Sequence, residues 1–348
     1  MRLRTPLLAA AVVVVLSGAG TWAAPAKGGD PLRFHQWSLD QIRAPQAWRI
    51  TQGRGVTVAV IDSGVWGEHP DLRAGLVRGH DFTGGGSTED DCGHGTEVAG
   101  VIGARAGNGI GLAGIAPQAQ ILPLRDGPGC TVDLNLTIAA VRYAVAHHAR
   151  VINISEGTQP VVGDALFDTV NKSAFQDAVD YAWAHGTLVV AGAGNSDIPI
   201  CAQPARLRHV LCVGSVGPDG VRSFYSQGDA TRTADYLVAP GGGGESTQQV
   251  GADTGIWTTA MPEQGGNVST GDGGGDTTPP PGYIDVDGTS FATPAVSAVA
   301  ALLFSRGLSV QQVHDRILST ARDLGPAGWD PIYGYGEVDA YAAVVGHR

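Results

Sequence analysis

Short apolar runs alternate with longer stretches of helically spaced apolar residues through most of this 348-residue chain. The runs are Val56–Ile61, Ala119–Leu124, Val151–Ile154, Thr187–Ala191, Val210–Val216 and Tyr236–Ala239. They are apolar at nearly every position, the pattern of strands buried on both faces of a parallel sheet. Between them, Val98–Ala104, Leu134–His147, Lys172–His185 and Ser290–Phe304 carry helix-compatible spacing, and Gly186 is placed as a helix stop. This alternation predicts βαβ units, an α/β class and a mainly parallel central sheet. The Gly- and Pro-rich stretches 84–86, 241–244 and 271–281 read as surface loops, and none separates two self-sufficient cores. One domain is therefore expected over residues 27–348, with no repeat of fixed period.

The first 26 residues depart from that pattern. Arg2 and Arg4 precede the apolar stretch Leu7–Leu16, and small residues including Ala23, Ala24 and Ala26 follow it. This is the layout of a secretory signal peptide, and the apolar core is short for a membrane anchor. Over the full chain, 43% hydrophobic and 16% charged residues exclude a disordered chain, and past residue 30 no apolar run reaches membrane-spanning length. A net charge of −11, spread along the chain, argues against a nucleic-acid partner.

Export permits disulfides, and four cysteines allow three pairings. The pairing expected is Cys92 with Cys130 and Cys201 with Cys212, the second closing a short loop that contains Pro204. The absence of any Cys-x-x-Cys argues against zinc.

Four positions stand out for chemistry. Asp62 follows directly on the first strand, and open α/β sheets place ligand sites at the carboxyl ends of strands. His94 lies between Gly93 and Gly95 at the start of a helix, so its imidazole is approachable. Ser290, in Asp287-Gly288-Thr289-Ser290-Phe291-Ala292-Thr293-Pro294, opens a small-residue helix whose positive end favours developing negative charge. Asn195 follows Ala191-Gly192-Ala193-Gly194 at the end of another strand and has an amide N–H to offer. Taken singly, these are a turn Asp, a surface His, an N-cap Ser and a turn Asn.

Together they resemble the subtilisin-like serine peptidases, the subtilases, whose triad runs Asp, His, Ser along the chain. The likeness spans about residues 37–344 and includes Ala44-Pro45-Gln46-Ala47-Trp48, His69-Pro70-Asp71-Leu72 and Gly114-Ile115-Ala116-Pro117. It implies a three-layer α/β/α fold and a secreted endopeptidase needing no cofactor for its chemistry. Ser290 is implied as nucleophile, His94 as general base and acid, and Asp62 as its orienting carboxylate. Asn195 and the Ser290 N–H are implied as oxyanion donors. Ser155, Glu156 and Gly157 would pair with an extended peptide, and with Ala191, Gly192 and Ala193 would line the first specificity pocket. The alternatives are a catalytically silent scaffold serving a secretion machine, or an esterase.

The chain departs from the family at two places. Glu156 stands where an apolar residue is usual, either as a solvated carboxylate or as an attractor of basic substrate side chains. Glu97 stands where many relatives carry a second His, and a structural role is expected for it. The resemblance also implies a calcium loop with side-chain ligands Asp71 and Asn108, possible help from Asp30, and the carbonyls of Arg105, Ile110 and Leu112. The short N-terminus, the cysteine placement and the Gly-rich insertion resemble the mycosins of type VII secretion. Mycosins end in a membrane helix, whereas this chain ends at Gly346-His347-Arg348, so soluble secretion is expected. The insertion 263–283 and the segment 30–48 are both candidates to cover the cleft.

Overall fold

The computed structural model describes residues 29–157, 172–243, 254–264 and 280–347. The proposed signal segment and most of the insertion lie outside these residues. Seven strands form one parallel sheet: β1 Thr57–Asp62, β2 His80–Asp81, β3 Gln120–Arg125, β4 Val151–Ile154, β5 Leu188–Gly192, β6 Val210–Val216 and β7 Asp235–Pro240. Their spatial order is β2-β3-β1-β4-β5-β6-β7. The chain thus starts in the middle of the sheet and builds outwards on both sides of β1, which opens a crevice at the carboxyl ends of β1 and β4.

Side-chain alternation along each strand divides the core in two. Val58 and Val60 of β1, Val190 of β5 and Leu211 and Val213 of β6 point into one layer. There they meet the helices α3 His94–Gly103 and α6 Thr289–Phe304. Ala59, Ile61, Val189, Val210 and Cys212 point the other way, against α4 Leu134–Ala146 and α5 Lys172–Ala184. This is the three-layer α/β/α architecture that the apolar strands require, because neither face of the sheet can be left in water.

Helix α6 is buried along almost its whole length, which its run of Ala, Val and Leu allows. The described elements beyond the expected set are β2, an antiparallel hairpin of β8 Ile256–Thr259 and β9 Tyr283–Val286, one 3-10 turn at Arg33–His35, and four α-helices. The helices are α1 Trp37–Gln41, α2 Ala44–Ala47, α7 Val310–Thr320 and α8 Ala340–Val345. The hairpin lies over α3, where Thr258 and Thr259 hydroxyls donate to the Glu97 and Thr96 carbonyls at 2.6 and 2.7 Å.

The segment 30–48 is fastened to the body. The Gln36 side chain exchanges two hydrogen bonds with the Ala113 backbone at 2.8 and 3.0 Å. Trp37 donates to the Gly255 carbonyl at 2.8 Å, and Arg43 pairs with Asp339. Both expected disulfides are present, Cys92–Cys130 and Cys201–Cys212.

Candidate active site

The carboxyl end of β1 delivers Asp62, which is fully buried. Its carboxylate receives the Ser63 N–H at 2.8 Å and faces His94, whose Nδ1 lies 2.8 and 3.0 Å from the two oxygens. A buried carboxylate so engaged fixes the ring orientation of the histidine and favours Nδ1 as the protonated nitrogen.

His94 is held in place by a second carboxylate that never touches it. Asp90 accepts the N–H groups of Cys92, Gly93 and Thr96 and the hydroxyls of Ser63 and Thr96, all within 2.6–3.0 Å. Negative charge there also suits the positive end of α3. Gly93 adopts φ 104° as the helix begins, and at Gly95 a Cβ would stand 2.0 Å from the Gly64 carbonyl oxygen. Only glycine lets the helix come this close to the end of β1, which brings His94 within reach of Asp62.

Burial disfavours the charged form of His94, but Asp62, then Glu97 and Asp90, more than compensate and push it up to about 9. Burial likewise drives Glu97 up, to about 7, with Asp62 and Asp90 adding to the rise. Glu97 is buried, and beyond the structural role expected for it, its charge favours the His94 imidazolium from one turn along α3.

Ser290 sits in the first turn of α6, and the helix itself explains how it is anchored. Pro294 has no N–H, so the Ser290 carbonyl lacks its usual helical partner and instead accepts the Ser155 hydroxyl at 2.8 Å. The Ser290 hydroxyl donates to the Ser155 carbonyl at 3.0 Å. Nearby, Asn195 accepts both the N–H and the hydroxyl of Thr289, at 3.0 and 2.8 Å. Those two bonds occupy its carbonyl oxygen and leave Nδ2 as the group it can offer elsewhere.

His94, Ser290, Asn195, Ser155, Glu156, Gly157 and Gly192 all line one cleft of about 450 Å³. Asp62 lies buried behind His94. Ala191 and Ala193 do not line it: both are fully buried on the α4–α5 side of the sheet, because alternation along β5 turns them away. Gly194, Ala202 and Gln227 take their place in the wall and were missed by the sequence reading, since they come from three separate turns. Cys92, Cys130 and Val132 form another part of the wall, so the first disulfide braces the cleft itself. Among the described residues none of 30–48 lines the cleft.

Glu156 is not a freely solvated carboxylate. Its Oε2 is buried without a hydrogen-bond partner, and burial followed by the charges of Asp62, Asp126 and Asp90 pushes its carboxyl up. His69, by contrast, is a satisfied core histidine between the Gly282 carbonyl and the Asp71 N–H.

Away from the cleft, Asp71 receives the Asn108 side-chain amide at 2.6 Å, the Leu112 N–H at 3.1 Å and the Tyr283 hydroxyl at 3.0 Å. Asp30 accepts the N–H groups of Gly107 and Asn108 within 3.1 Å. Burial, helped by the nearby charge of Asp30, pushes the Asp71 carboxyl up against the opposing effect of its hydrogen bonds.

The sequence profile of the subtilase family matches residues 53–336. Thermitase of Thermoactinomyces vulgaris is 34% identical over 313 residues, 89% of this chain and 95% of that protein. Subtilisin BL of Lederbergia lenta is 31% identical, covering 88% and 97%. Among solved structures, a protease from Pseudoalteromonas arctica PAMC 21717 superposes with a TM-score of 0.74 at 28% identity, over 92% of this chain and 99% of that one. A lanthipeptide protease superposes at 0.73 with 32% identity, over 90% and 93%. With its sheet, its helices and most of its length matched in this way, the chain belongs to the subtilase family and is a subtilisin-like serine protease.

Proposed function

We propose that the protein is an exported endopeptidase that cuts extended peptides through Asp62, His94 and Ser290. The observation that carries this reading is the convergence of His94, Ser290 and Asn195 on one cleft, with Asp62 hydrogen-bonded behind His94. Ser290 Oγ attacks the scissile carbonyl carbon while His94 Nε2 takes its proton. Asp62 stabilises the resulting imidazolium. Asn195 Nδ2 and the Ser290 N–H bind the oxyanion, the imidazolium returns the proton to the leaving amine, and water then hydrolyses the acyl-enzyme by the reverse path. The Ser290 hydroxyl must swing from the Ser155 carbonyl to His94 for this, a rearrangement common between unbound and substrate-bound sites. The backbone of 155–157, which continues past β4 along the cleft, pairs with a substrate strand on the acyl side of the cut.

Two further assignments belong to the same reading. Residues 1–26 are removed on export, which the two disulfides and the layout of that segment support. Among the described residues no helix is long and apolar enough to cross a membrane. Asp30, Asp71 and Asn108, with the carbonyls of Arg105, Ile110 and Leu112, hold a structural calcium. The oxygens suit a hard cation and an ion would relieve the repulsion between Asp30 and Asp71, provided that Asn108 turns its carbonyl oxygen, which now accepts the Ile110 N–H, toward Asp71 in place of its amide N–H.

The test is casein hydrolysis by the purified protein, compared with Ser290→Ala and Asn195→Ala. The first should abolish turnover; the second should lower kcat by about 10²–10³, a magnitude known from subtilisin, a member of the same family. Undiminished casein cleavage in Ser290→Ala would refute the assignment.

A further inference from the structure

Among the described residues that line the cleft there is one carboxylate, Glu156, and no Lys or Arg. Its Oε2 is buried without a partner, and one of its oxygens lies within 4.8 Å of ligand atoms of both Asp62 and His94. Asp62, Asp90 and Asp126 are buried close behind, and Asp126 Oδ1 is also buried without a partner. The wall is thus backed by closely spaced carboxyl groups, and the member that reaches the cleft lacks a donor. A buried acceptor left unpaired is costly, more so when it is ionised.

We propose that Glu156 is a specificity-determining residue that selects a Lys or Arg side chain on the acyl side of the scissile bond. The inference rests on the protease reading and goes beyond it by naming the substrate class. The position follows from the chain: Glu156 lies in the segment 155–157, along which that side of the peptide runs. An ammonium or guanidinium entering there gives Oε2 the donor it lacks and offsets the surrounding carboxylates. A neutral side chain of the same shape would leave the carboxylate buried and unpaired, the situation in which a polar pocket discriminates most strongly. The raised Glu156 carboxyl is consistent with this, since a bound cation is what would restore its ionised form.

The experiment uses the full exported chain and pairs of peptides that differ only in Arg against citrulline, placed in turn at each of the four positions upstream of the cut. Citrulline keeps the shape of Arg without its charge. Wild type should favour Arg in kcat/KM at one position by on the order of tenfold or more, the scale of one charged hydrogen bond. Glu156→Gln and Glu156→Leu should bring that ratio near one, the ratio being taken within each variant so that any change in its overall rate cancels. A wild-type ratio near one at every position, or an unchanged ratio in Glu156→Gln, overturns the proposal. Equilibrium binding to Ser290→Ala with Glu156 intact should show the same Arg preference, which keeps the test independent of how the Glu156 variants fold. If wild type neither cleaves nor reacts with fluorophosphonate, the protease reading fails as well. Cleavage without charge preference defeats only the role of Glu156.

Discussion

His94 is surrounded by more negative charge than its one hydrogen-bonded carboxylate. Asp62, Glu97 and Asp90 all favour the imidazolium, and together they lift the ring to about 9 against its burial. A protonated His94 cannot accept the Ser290 proton, so kcat/KM should rise with pH as the ring deprotonates, with its acid limb well above the ordinary histidine value of about 6.5. Glu97→Gln removes one of those charges and should move that limb to lower pH. An unmoved limb in a folded Glu97→Gln protein would show that Glu97 does not act on His94. At this scale the sequence was most informative for residues that sit in motifs. Asp62, His94, Ser290 and Asn195 could be picked out because each ends a strand or opens a helix in a recognisable setting. The influence of Glu97 could not, because it depends on how deeply the first turns of α3 are buried under β8 and β9, and no local pattern records that.

The elements carry the site by close approach. Helix α3 meets the end of β1 through Gly95, where a Cβ would stand 2.0 Å from a backbone oxygen that cannot move aside. Gly95→Ala should therefore cost about 1–3 kcal/mol and reduce activity, because relief of the clash moves His94 away from Asp62. Ser309→Ala is the contrasting case: it removes the capping box at the start of α7 and should cost about 1 kcal/mol with kcat/KM unchanged. Thermal melts with parallel assays on the two variants separate the roles, and an active Gly95→Ala protein of normal stability would contradict the packing account. The apolar strands were legible because burial on both faces leaves little freedom in composition. The two-residue β2 was not, being too short to show a period, and the β8–β9 hairpin is hidden by the Gly-rich stretch between its strands. Helix α7 did have a signal, Ser309 followed three residues later by Gln312, in a segment too polar for a core helix.

Across the whole molecule, the N-terminal segment and the loop 105–112 meet at Asp30, which binds the backbone of Gly107 and Asn108 while Gln36 and Arg43 tie the following residues to the body. A cation between Asp30 and Asp71 would link chain start, loop and the β9 residue Tyr283 in one cluster. Calcium should therefore raise Tm, chelator should lower it, and Asp71→Asn should abolish the difference; a Tm indifferent to calcium would remove the metal from the account. The sequence suggested these ligands through resemblance alone. What it could not show is that Tyr283 and Leu112 also engage Asp71, since the partners lie up to 212 residues apart.

The central claim is that Ser290 is a nucleophile activated by His94. The measurement that tests it most directly is mass spectrometry of the protein after treatment with diisopropyl fluorophosphate. The account predicts one phosphoryl adduct per chain, on the peptide containing Ser290, formed rapidly in wild type and lost in His94→Ala. An adduct on another residue, or an unmodified Ser290 in a folded protein, would contradict it.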